Sequence, residues 1–496
     1  MSDQQGDVRL QLGPFAKIPS GLRRLADAPG PRGLPLFGNA FRVAPQEAIQ
    51  VTEEWSREYG AICTAKFPLG YLVLVSDPAL NEAILRARPE AFRRWSPIEL
   101  VFEELSAKGL FSAEGDAWKV QRRLVMQALS QKHLRSFFPT LRRATERLLR
   151  MWQVAAEDAS ELEPNEEFKR FTSDVTVSLA FSTDMNSIER GDGVLGQHLS
   201  LIFPTMGRRL NTLIPYWRFL KMPSDRKVDR ALVEIRKLQE QFVLDARARL
   251  KKRSQEHGQS ERELLPHDML EAMLVARDEN GEAFSDDAIY GNMLTMLLAG
   301  EDTTAYALSW ALHYLCERPD VMERLRSEAD EVFGEAELVD SLEAAGRLRY
   351  AEAVAHEVLR MRSPAPVIPL ENQVDIILGD LFVPQGSAIE LMTRLPAMSD
   401  EHFSQAECFH PERWLKDEPQ AGAHNARSSV PFGSGPRICP GRALALLEMR
   451  MVLSLIARHF DLKRVGKAEE VREMTAFVMT PVGIRLQLEK RRWAAA

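Results

Sequence analysis

The sequence contains little cysteine, no long apolar run near its start and no excess of positive charge. Its 496 residues include four cysteines, which follow neither a zinc-binding nor a disulfide spacing: Cys63, Cys316, Cys408 and Cys439. This pattern indicates a reducing, cytoplasmic setting and argues against a disulfide-stabilised scaffold. The net charge of −7 argues against a nucleic-acid partner. Residues 1–30 lack both a membrane-spanning run and a secretory signal, so no transmembrane anchor is predicted.

What the chain does have is enough apolar material for a large core, since 45% of its residues are hydrophobic. It shows no internal repeat and no long flexible linker. One charged segment, 251–263, interrupts a helical pattern and is predicted to be a surface loop. Residues 1–28 are predicted to be a loosely ordered N-terminal extension, and residues 29–496 to form one domain that is a monomer.

A glycine-rich loop at 431–442 carries the strongest chemical signal. It contains Cys439, directly before an apolar helix predicted over 443–460. A thiolate is favoured at a helix N-terminus by the unpaired N–H groups and the helix dipole, and Pro440 suits the first helical position. Arg437 can hold an anionic group beside the sulfur. The loop therefore predicts a socket for one metal bond and one anion contact, with a buried structural cysteine as the alternative.

A second signal is a polar interruption in a long apolar helix. Ser285 is predicted to cap a helix that runs to about Arg318 and ends before Pro319. Several polar side chains lie at 300–304, where burying them unpaired is costly. Gly300 permits a local opening of the helix. A carboxylate beside a hydroxyl and a water can deliver protons into a dry cavity; the alternative is a polar N-cap inside a broken helix.

Two further pairs are weak when taken alone. Trp118 and Arg122 lie four apart on a predicted helix, so they share a face that can grip a carboxylate, although a surface cation–π contact is also consistent with the spacing. Glu357 and Arg360 are three apart on another predicted helix and can pair on one face.

Together these stretches resemble the cytochrome P450 monooxygenases. The loop matches the family's haem-binding pattern Phe-x-x-Gly-x-Arg-x-Cys-x-Gly at every fixed position, and the other elements follow in the family's order over nearly the whole chain after about Pro29. The matching residues are Trp118 and Arg122; Ala299, Gly300, Asp302, Thr303 and Thr304; Glu357 and Arg360; Phe409 to Trp414; and Phe432, Gly435, Arg437, Cys439 and Gly441.

The resemblance implies a mainly α fold with small β-sheets, in which haem lies between the long central helix and the helix after the Cys loop. It implies haem b as the cofactor and Cys439 as the ligand of its iron. Asp302 and Thr303 are the expected catalytic residues, which deliver protons during dioxygen activation. The other expected cofactor-binding residues are Trp118, Arg122, Ala299, Phe432, Arg437 and Gly441.

Two more expectations come from the same comparison. Arg413 is expected to complete a buried structural network with Glu357 and Arg360, because charges are tolerated in a core only when every member is paired. Many relatives place an arginine or histidine after the strand near Pro369, to hold the second haem propionate. This chain has Glu371 there, so the source of that contact is left open.

The implied function is a monooxygenase that inserts one oxygen atom of O2 into a lipophilic small molecule, such as a fatty acid, terpenoid, steroid or polyketide. The apolar composition of 95–105, 293–299, 364–369 and 476–479 is typical of such a substrate pocket, and a lid is implied near 213–220. The alternatives are a peroxide-driven peroxygenase, a haem-thiolate isomerase or dehydratase, and a non-enzymatic haem-thiolate sensor.

Electrons are expected to come from a ferredoxin or flavodoxin-type protein with its reductase, because no flavin or ferredoxin domain follows Ala496. Lys and Arg residues are concentrated at 119–150. This segment is either a docking surface for an acidic electron donor or an ordinary solvated helix face. These features together predict a soluble, bacterial member of the family.

Overall fold

The computed structural model describes residues 10–15, 19–191, 193–212, 214–277, 281–416 and 422–491. Helices dominate this part of the chain. The α-helices, in chain order, are α1 (Ala48–Tyr59), α2 (Pro78–Arg86), α3 (Ser96–Glu104), α4 (Gly115–Ala128), α5 (Gln131–Glu157), α6 (Pro164–Phe181), α7 (Ser187–Arg190), α8 (Val194–Leu199), α9 (Ile202–Leu210), α10 (Pro223–His257), α11 (Met269–Val275), α12 (Asp286–Leu315), α13 (Pro319–Phe333), α14 (Leu342–Ala345), α15 (Arg349–Met361), α16 (Arg394–Ala397) and α17 (Arg442–His459).

The strands are short. They are β1 (Leu10–Leu12), β2 (Ile62–Phe67), β3 (Gly70–Val75), β4 (Phe92–Arg94), β5 (Glu161–Leu162), β6 (Val367–Asn372), β7 (Ile376–Leu378), β8 (Leu381–Val383), β9 (Ala388–Met392), β10 (Phe460–Arg464), β11 (Arg472–Thr475), β12 (Met479–Val482) and β13 (Leu486–Lys490). One-turn 3-10 helices lie at Leu25–Asp27, Ala40–Arg42, Pro45–Glu47, Tyr216–Arg218, Pro411–Trp414, Ala426–Ser428, Gly435–Arg437 and Ala468–Glu470. The expected mainly α fold with small sheets is confirmed.

The chain divides into two compact units. Unit 1 comprises Met1–Leu100, Arg360–Cys408 and Gln420–Cys439, and unit 2 comprises Val101–Leu359, Phe409–Pro419 and Pro440–Ala496. The boundaries fall inside α3 and α15, so each of these two helices contributes to both units.

Unit 1 holds the larger sheet. Its strands lie in the order β2-β3-β9-β6-β4, with β3 and β9 parallel and the other neighbours antiparallel. The sequence predicts a hairpin here, since two apolar runs, 61–67 and 71–75, are separated by the turn residues 68–70. The prediction is confirmed, because Ile62 pairs with Val75 at one end and Phe67 with Gly70 at the turn. A second sheet, β1-β7-β8, is antiparallel. Its strand β1 lies within the segment for which the sequence predicts little order.

Unit 2 is built around α12 and is mostly helical. The predicted cap is confirmed, since the Ser285 hydroxyl accepts a hydrogen bond from Ala288 N at 3.2 Å. At about 1.5 Å per residue, the 30 residues of α12 span about 45 Å. Most residues of this helix are buried, so its apolar side chains contribute to the unit's core. Two small antiparallel sheets, β10-β13-β5 and β11-β12, complete the unit.

The prediction of a surface loop at 251–263 is wrong in its first half. Helix α10 continues to His257 and ends before Gly258, which has a φ of +63°. Lys, Arg, Glu and Gln are all good helix formers, and the dense charge of this stretch lies on the exposed side of the helix. In the part of the chain that the structure describes, no helix combines the length and apolar character needed to cross a bilayer.

Candidate functional site

Cys439 is exposed at the end of the glycine-rich loop in unit 1. Its N–H donates to the carbonyl of Phe432 at 2.9 Å, which closes the loop. Gly435 has a φ of +68°, and a Cβ at this position would lie 2.5 Å from the carbonyl oxygen of Leu85 in α2. Only glycine fits such a close approach. The loop is therefore held in one shape, and Arg437, partly buried, lies two residues before the sulfur.

The predicted position of Pro440 in the first turn of the following helix is wrong. Pro440 and Gly441 form a turn, and α17 begins at Arg442. The cause is local: Gly441, the N-cap, has φ −81° and ψ 0°, outside the helical region of backbone angles. Cys439 is thus part of the loop and lies three residues before Arg442, the first residue of α17.

The polar stretch of α12 is less buried than the rest of the helix. Ala299 is exposed and Gly300, Asp302 and Thr303 are partly exposed, whereas most of the helix is buried. The Thr303 hydroxyl donates to the carbonyl of Ala299 at 2.8 Å. The α-helix is continuous from Asp286 to Leu315, so the alternative of a polar N-cap inside a broken helix is wrong. This part of the helix thus has four accessible groups: the Ala299 methyl group, Gly300, the Asp302 carboxylate and the Thr303 hydroxyl.

Helix α6 packs against this stretch. The Thr172 hydroxyl donates to the carbonyl of Glu301 at 2.9 Å. A Cβ at Gly300 would lie 2.3 Å from the hydroxyl oxygen of Thr176. Gly300 therefore allows the two helices to approach closely at the turn that carries the polar residues, which adds a packing role to the helix-opening role predicted from the sequence.

Asp302 is surrounded by polar groups from α6 and from its own helix. Lys169 Nζ lies 3.9 Å from Asp302 Oδ1, and the carboxylate side chain is 13% exposed. Burial raises the pKa of Asp302 to about 6, while the charge of Lys169 and a hydrogen bond from Tyr306 act in the opposite direction. Burial, assisted by the negative charge of Asp302, raises the pKa of Tyr306 to about 12. Asp302 thus exchanges its proton close to neutral pH.

Sequence reasoning missed Lys169, Thr172, Thr176 and Tyr306. A signal was present in α6, where a lysine and two threonines recur at positions 169, 172 and 176, the spacing of one helix face. Polar residues repeated on the face of a largely buried helix indicate a polar partner on the neighbouring element.

Trp118 and Arg122 lie on α4, as predicted. Trp118 is buried and Arg122 is partly exposed, and their four-residue separation places them on one helix face. Their role in holding a haem propionate stays a prediction.

An aromatic cluster in unit 2 joins three separate segments. Phe102 of α3 stacks on Phe111 with ring centroids 5.0 Å apart, and Phe203 of α9 stacks on Phe477 with centroids 5.4 Å apart. Phe477 also contacts Phe102 and Phe111 at 5.6 and 5.8 Å. It lies at the tip of the β11–β12 hairpin, and the family resemblance implies a final hairpin at this place, 475–481. The four rings form one apolar cluster.

The loop after α3 is fixed to α12 close to the exposed Ala299. The Thr295 hydroxyl donates to the carbonyl of Ala107 at 2.9 Å, and Leu110 N donates to the side-chain oxygen of Asn292 at 2.9 Å. Thr295 and Ala299 are four apart and share a helix face. The loop that carries Phe111 is therefore attached to α12 one turn before Ala299.

The predicted charged network is buried. Glu357 is 0% exposed and accepts hydrogen bonds from His410 N at 2.9 Å, Arg413 Nε at 3.1 Å and Trp414 Nε1 at 2.9 Å. Arg360, 1% exposed, donates to the carbonyls of Ala397 at 2.7 Å and Cys408 at 3.3 Å.

Glu371 has a local role in unit 1. Its carboxylate accepts hydrogen bonds from the hydroxyl of Ser96 at 2.6 Å and from the N–H of Ser96 at 3.3 Å. Glu371 thereby provides a hydrogen-bond acceptor for the N–H of Ser96, the first residue of α3, which has no acceptor within the helix. An acid at this position is thus explained by a helix terminus, and the source of a second propionate contact stays open.

The loop in unit 1 fits a cofactor that needs one soft ligand and an anion contact, because it carries an exposed thiol and, two residues before it, a partly buried arginine. A thiolate as the single protein ligand of an iron defines the haem-thiolate class. Residues 28–488 match the family model described as Cytochrome P450, and the chain belongs to that family.

Curated relatives span several eukaryotic groups. The chain is 28% identical to the Protein LUTEIN DEFICIENT 5, chloroplastic, of Arabidopsis thaliana, covering 87% of this chain and 72% of that protein. It is 25% identical to Cytochrome P450 27C1 of Danio rerio, covering 95% and 88%. It is 25% identical to the Self-sufficient cytochrome P450 monooxygenase CYP505E4 of Penicillium expansum, covering 96% of this chain but 44% of that protein.

Membership in this family makes the protein an oxidoreductase of the monooxygenase type, with iron protoporphyrin IX, haem b, as its cofactor. Redox partners and lipophilic substrates are general features of the family.

Proposed function

We propose that this cytochrome P450 inserts one atom of O2 into a lipophilic small molecule, with electrons supplied by separate partner proteins. In this proposal Cys439 is the iron ligand, and Asp302 and Thr303 deliver protons. The fatty acids, terpenoids, steroids and polyketides are the candidate substrate classes.

The observation that carries the proposal is the environment of Asp302. Its carboxylate is mostly buried, lies beside Lys169 and Tyr306, and has a pKa of about 6. A carboxyl group that exchanges its proton near the working pH is suited to pass protons from solvent to a reaction centre. The Thr303 hydroxyl, next to it in the chain, is already held by Ala299 and can orient a water. A haem sensor has no need of such a pair.

The cofactor would be held by residues of the loop and of α4. Cys439 offers the iron ligand, Arg437 and the Trp118–Arg122 pair offer donors for propionates, and Phe432, Gly441 and Ala299 offer surface for the ring. When bound, the haem supplies oxidising power toward C–H bonds, which the thiolate ligand strengthens. The protein's own contribution is to position the substrate, exclude water and move protons.

The aromatic cluster supports an apolar substrate. Phe102, Phe111, Phe203 and Phe477 present rings to one another around a region fixed to α12 near Ala299. Apolar and aromatic side chains predominate in sites for lipophilic ligands. A screen by the ligand-induced shift of the Soret band, across the four substrate classes and followed by product analysis, identifies the class.

The decisive experiment replaces Thr303 by Ala and, as the matched control, by Ser. For a monooxygenase, Thr303→Ala should divert electrons from product to hydrogen peroxide, while Thr303→Ser keeps the hydroxyl and the coupling. A peroxide-driven peroxygenase would be indifferent to both changes. The reduced, haem-loaded wild type must also give the family's red-shifted carbon monoxide difference band; its absence would remove Cys439 as the iron ligand.

The electron donor is proposed to be a ferredoxin or flavodoxin with its reductase. The basic residues of α4 and α5 support this, although several are paired with acids: Lys119 with Asp116, Arg135 with Glu343, Arg142 with Glu146, Arg147 with Asp184 and Arg150 with Glu189. Lys132 is exposed at the start of α5 and is the sharper probe of a docking role.

Charge reversal at Lys132 tests the docking surface. Lys132→Glu should raise the apparent Michaelis constant for an acidic ferredoxin, and the effect should fade at high salt because screening weakens steering. Lys252→Glu on α10, 77% exposed, is the control with the same charge change. Equal kinetics for the two variants would mean that the basic residues form an ordinary solvated helix face and no docking surface.

A cytoplasmic location is part of the proposal. It is supported by four cysteines that are all free thiols, as expected in a reducing compartment. Cell fractionation of the native organism tests it, and recovery of the protein from an organelle or a membrane fraction contradicts it.

A further inference from the structure

Glu104, the last residue of α3, accepts hydrogen bonds from three side chains. One of these is at the end of α9 and two are in the 3-10 helix Tyr216–Arg218. Its Oε2 accepts hydrogen bonds from Trp217 Nε1 at 2.8 Å and Arg209 Nη1 at 3.2 Å. Its Oε1 accepts a hydrogen bond from Arg218 Nε at 2.6 Å. One carboxylate thus joins two segments that are far apart in the sequence.

One side of this contact is buried, and the other side is exposed to solvent. Arg209 is 6% exposed and Trp217 is 5% exposed. The guanidinium of Arg209 also lies 5.2 Å from the centre of the Trp217 ring. Burial lowers the pKa of Arg209, and the charge of Glu104 opposes that effect. The side chain of Arg218 is 46% exposed, so water reaches this end of the contact.

The segments that Glu104 joins are those that carry the aromatic cluster. Phe102 lies on α3 two residues before Glu104, and Phe203 lies on α9 together with Arg209. The end of α9 is also tied to α10, because Arg208 Nη2 lies 2.6 Å from Asp225 Oδ1. Separation of α3 from the end of α9 therefore requires the Glu104 contacts to break while the Arg208–Asp225 pair can remain.

We propose that Glu104 is a specificity-determining latch, which holds α3 to the end of α9 and to the 3-10 helix Tyr216–Arg218, and which sets how readily a bulky lipophilic ligand reaches the site. The proposal rests on the proposed function, in which the aromatic cluster borders the substrate. Hydrogen bonds to a charged acceptor that is largely removed from water are strong, so the closed arrangement persists. The solvent-facing Arg218 is where water replaces the protein donors and opening begins.

The test uses the haem-loaded protein and two probes that bind iron through the same imidazole nitrogen, imidazole and the bulkier 4-phenylimidazole. Their association and dissociation are followed by stopped-flow absorbance in the Soret region. Glu104→Gln keeps the shape of the side chain and removes its charge. Glu103→Gln is the control, since Glu103 is the preceding residue on the same helix, is 58% exposed and pairs with Lys108 at 3.6 Å.

We expect Glu104→Gln to speed both association and dissociation of 4-phenylimidazole about tenfold, with less than about a threefold change in Kd and less than about a twofold change in the rates for imidazole. Hydrogen exchange in 202–212 and 214–222 should quicken in parallel. Glu103→Gln should match the wild type in all measurements. If Glu104→Gln does not fold, Arg218→Gln should give the same acceleration, because it removes the half-exposed donor only.

Rates for 4-phenylimidazole that stay within twofold of the wild type in Glu104→Gln, or in Arg218→Gln, overturn the latch even when thermal stability falls. Equal acceleration of imidazole also overturns it, because the effect would then not depend on size. A wild type whose Soret band does not respond to 4-phenylimidazole contradicts the proposed access of lipophilic ligands itself, so the two failures are distinguishable.

Discussion

Two acids on interior helices of unit 2, Glu357 and Asp302, meet very different surroundings. Glu357 is fully buried and accepts hydrogen bonds from His410 N, Arg413 and Trp414. Asp302 is 13% exposed and has its cation, Lys169, at 3.9 Å. Three donors lie within 3.1 Å of the first carboxylate, whereas the second has its cation farther away and is partly exposed.

The difference shows how a buried charge serves structure or chemistry. A carboxylate that is saturated with donors is locked as an anion and fixes the elements that hold those donors. A carboxylate with fewer and longer contacts, raised in pKa by burial, can exchange a proton near neutral pH. The number and distance of the donors thus separate the two acids.

The largest effect is expected from Glu357→Gln. Loss of the buried negative charge leaves Arg413, 4% exposed, without its counter-charge, which should lower the free energy of unfolding by about 3–5 kcal/mol. Urea unfolding measures it. Glu352→Gln on the same helix is the control, because Glu352 is 36% exposed in its pair with Arg450 and should cost less than about 1 kcal/mol. Equal losses would remove the distinction between saturated and surface acids.

Asp302→Asn should leave the fold intact and reduce turnover about 100-fold, because a proton-transferring group is removed. Product formation and consumption of the reduced nicotinamide donor are measured with a substrate found in the Soret screen. Circular dichroism provides the folding control. Unchanged turnover in a variant with a native spectrum would mean that Asp302, like Glu357, has a structural role only.

The pH dependence of stability gives a third expectation. In the unfolded chain Asp302 has a pKa of about 3.9, and in the fold about 6. As pH rises from 4 to 6 the unfolded chain loses this proton first, so the wild type loses stability relative to Asp302→Asn. The difference should amount to on the order of 2–3 kcal/mol and level off above pH 6. Parallel stability curves for the two proteins from pH 4 to 7 would contradict the raised pKa.

A smaller effect is expected from Gly300→Ala. The added Cβ would lie 2.3 Å from the hydroxyl of Thr176, so α6 or the Thr176 side chain must move, at a cost of about 1–3 kcal/mol. The double variant Gly300→Ala/Thr176→Ala should recover most of this loss, since it removes the clashing atoms. Additive losses in the double variant would mean that the two residues do not meet.

Local signals carried much of the fold. Patterns in neighbouring residues predict three features to within a few positions: the Ser285 cap, the hairpin around Pro68–Leu69 and the apolar helix after Cys439. The family resemblance added the expectation of a Glu357–Arg413 contact, which the structure contains. Predictions based on local turn geometry were weaker: Pro440 does not open α17, because Gly441 delays the helix.

The rest depends on contacts between distant parts of the chain. Lys169 meets Asp302 only because α6 packs on α12, and Glu104 meets Arg209 only because α3 and α9 come together. The polar periodicity of α6 indicates a polar partner but does not identify it as Asp302, and no local pattern pairs Glu104 with Arg209. The catalytic and cofactor-binding assignments drawn from the sequence, including Thr303, Trp118 and Arg122, stay predictions until the variants are measured.

The attachment of the 107–112 loop to α12 has a consequence for anyone who redesigns this enzyme. Thr295 and Asn292 hold that loop through its backbone atoms, Ala107 O and Leu110 N, so the loop side chains can be varied while its path is retained. A mutagenesis library at Phe111 and Phe477, with Asn292 and Thr295 kept constant, should therefore yield many folded catalysts of altered selectivity, whereas libraries that include the two anchors should be rich in inactive protein.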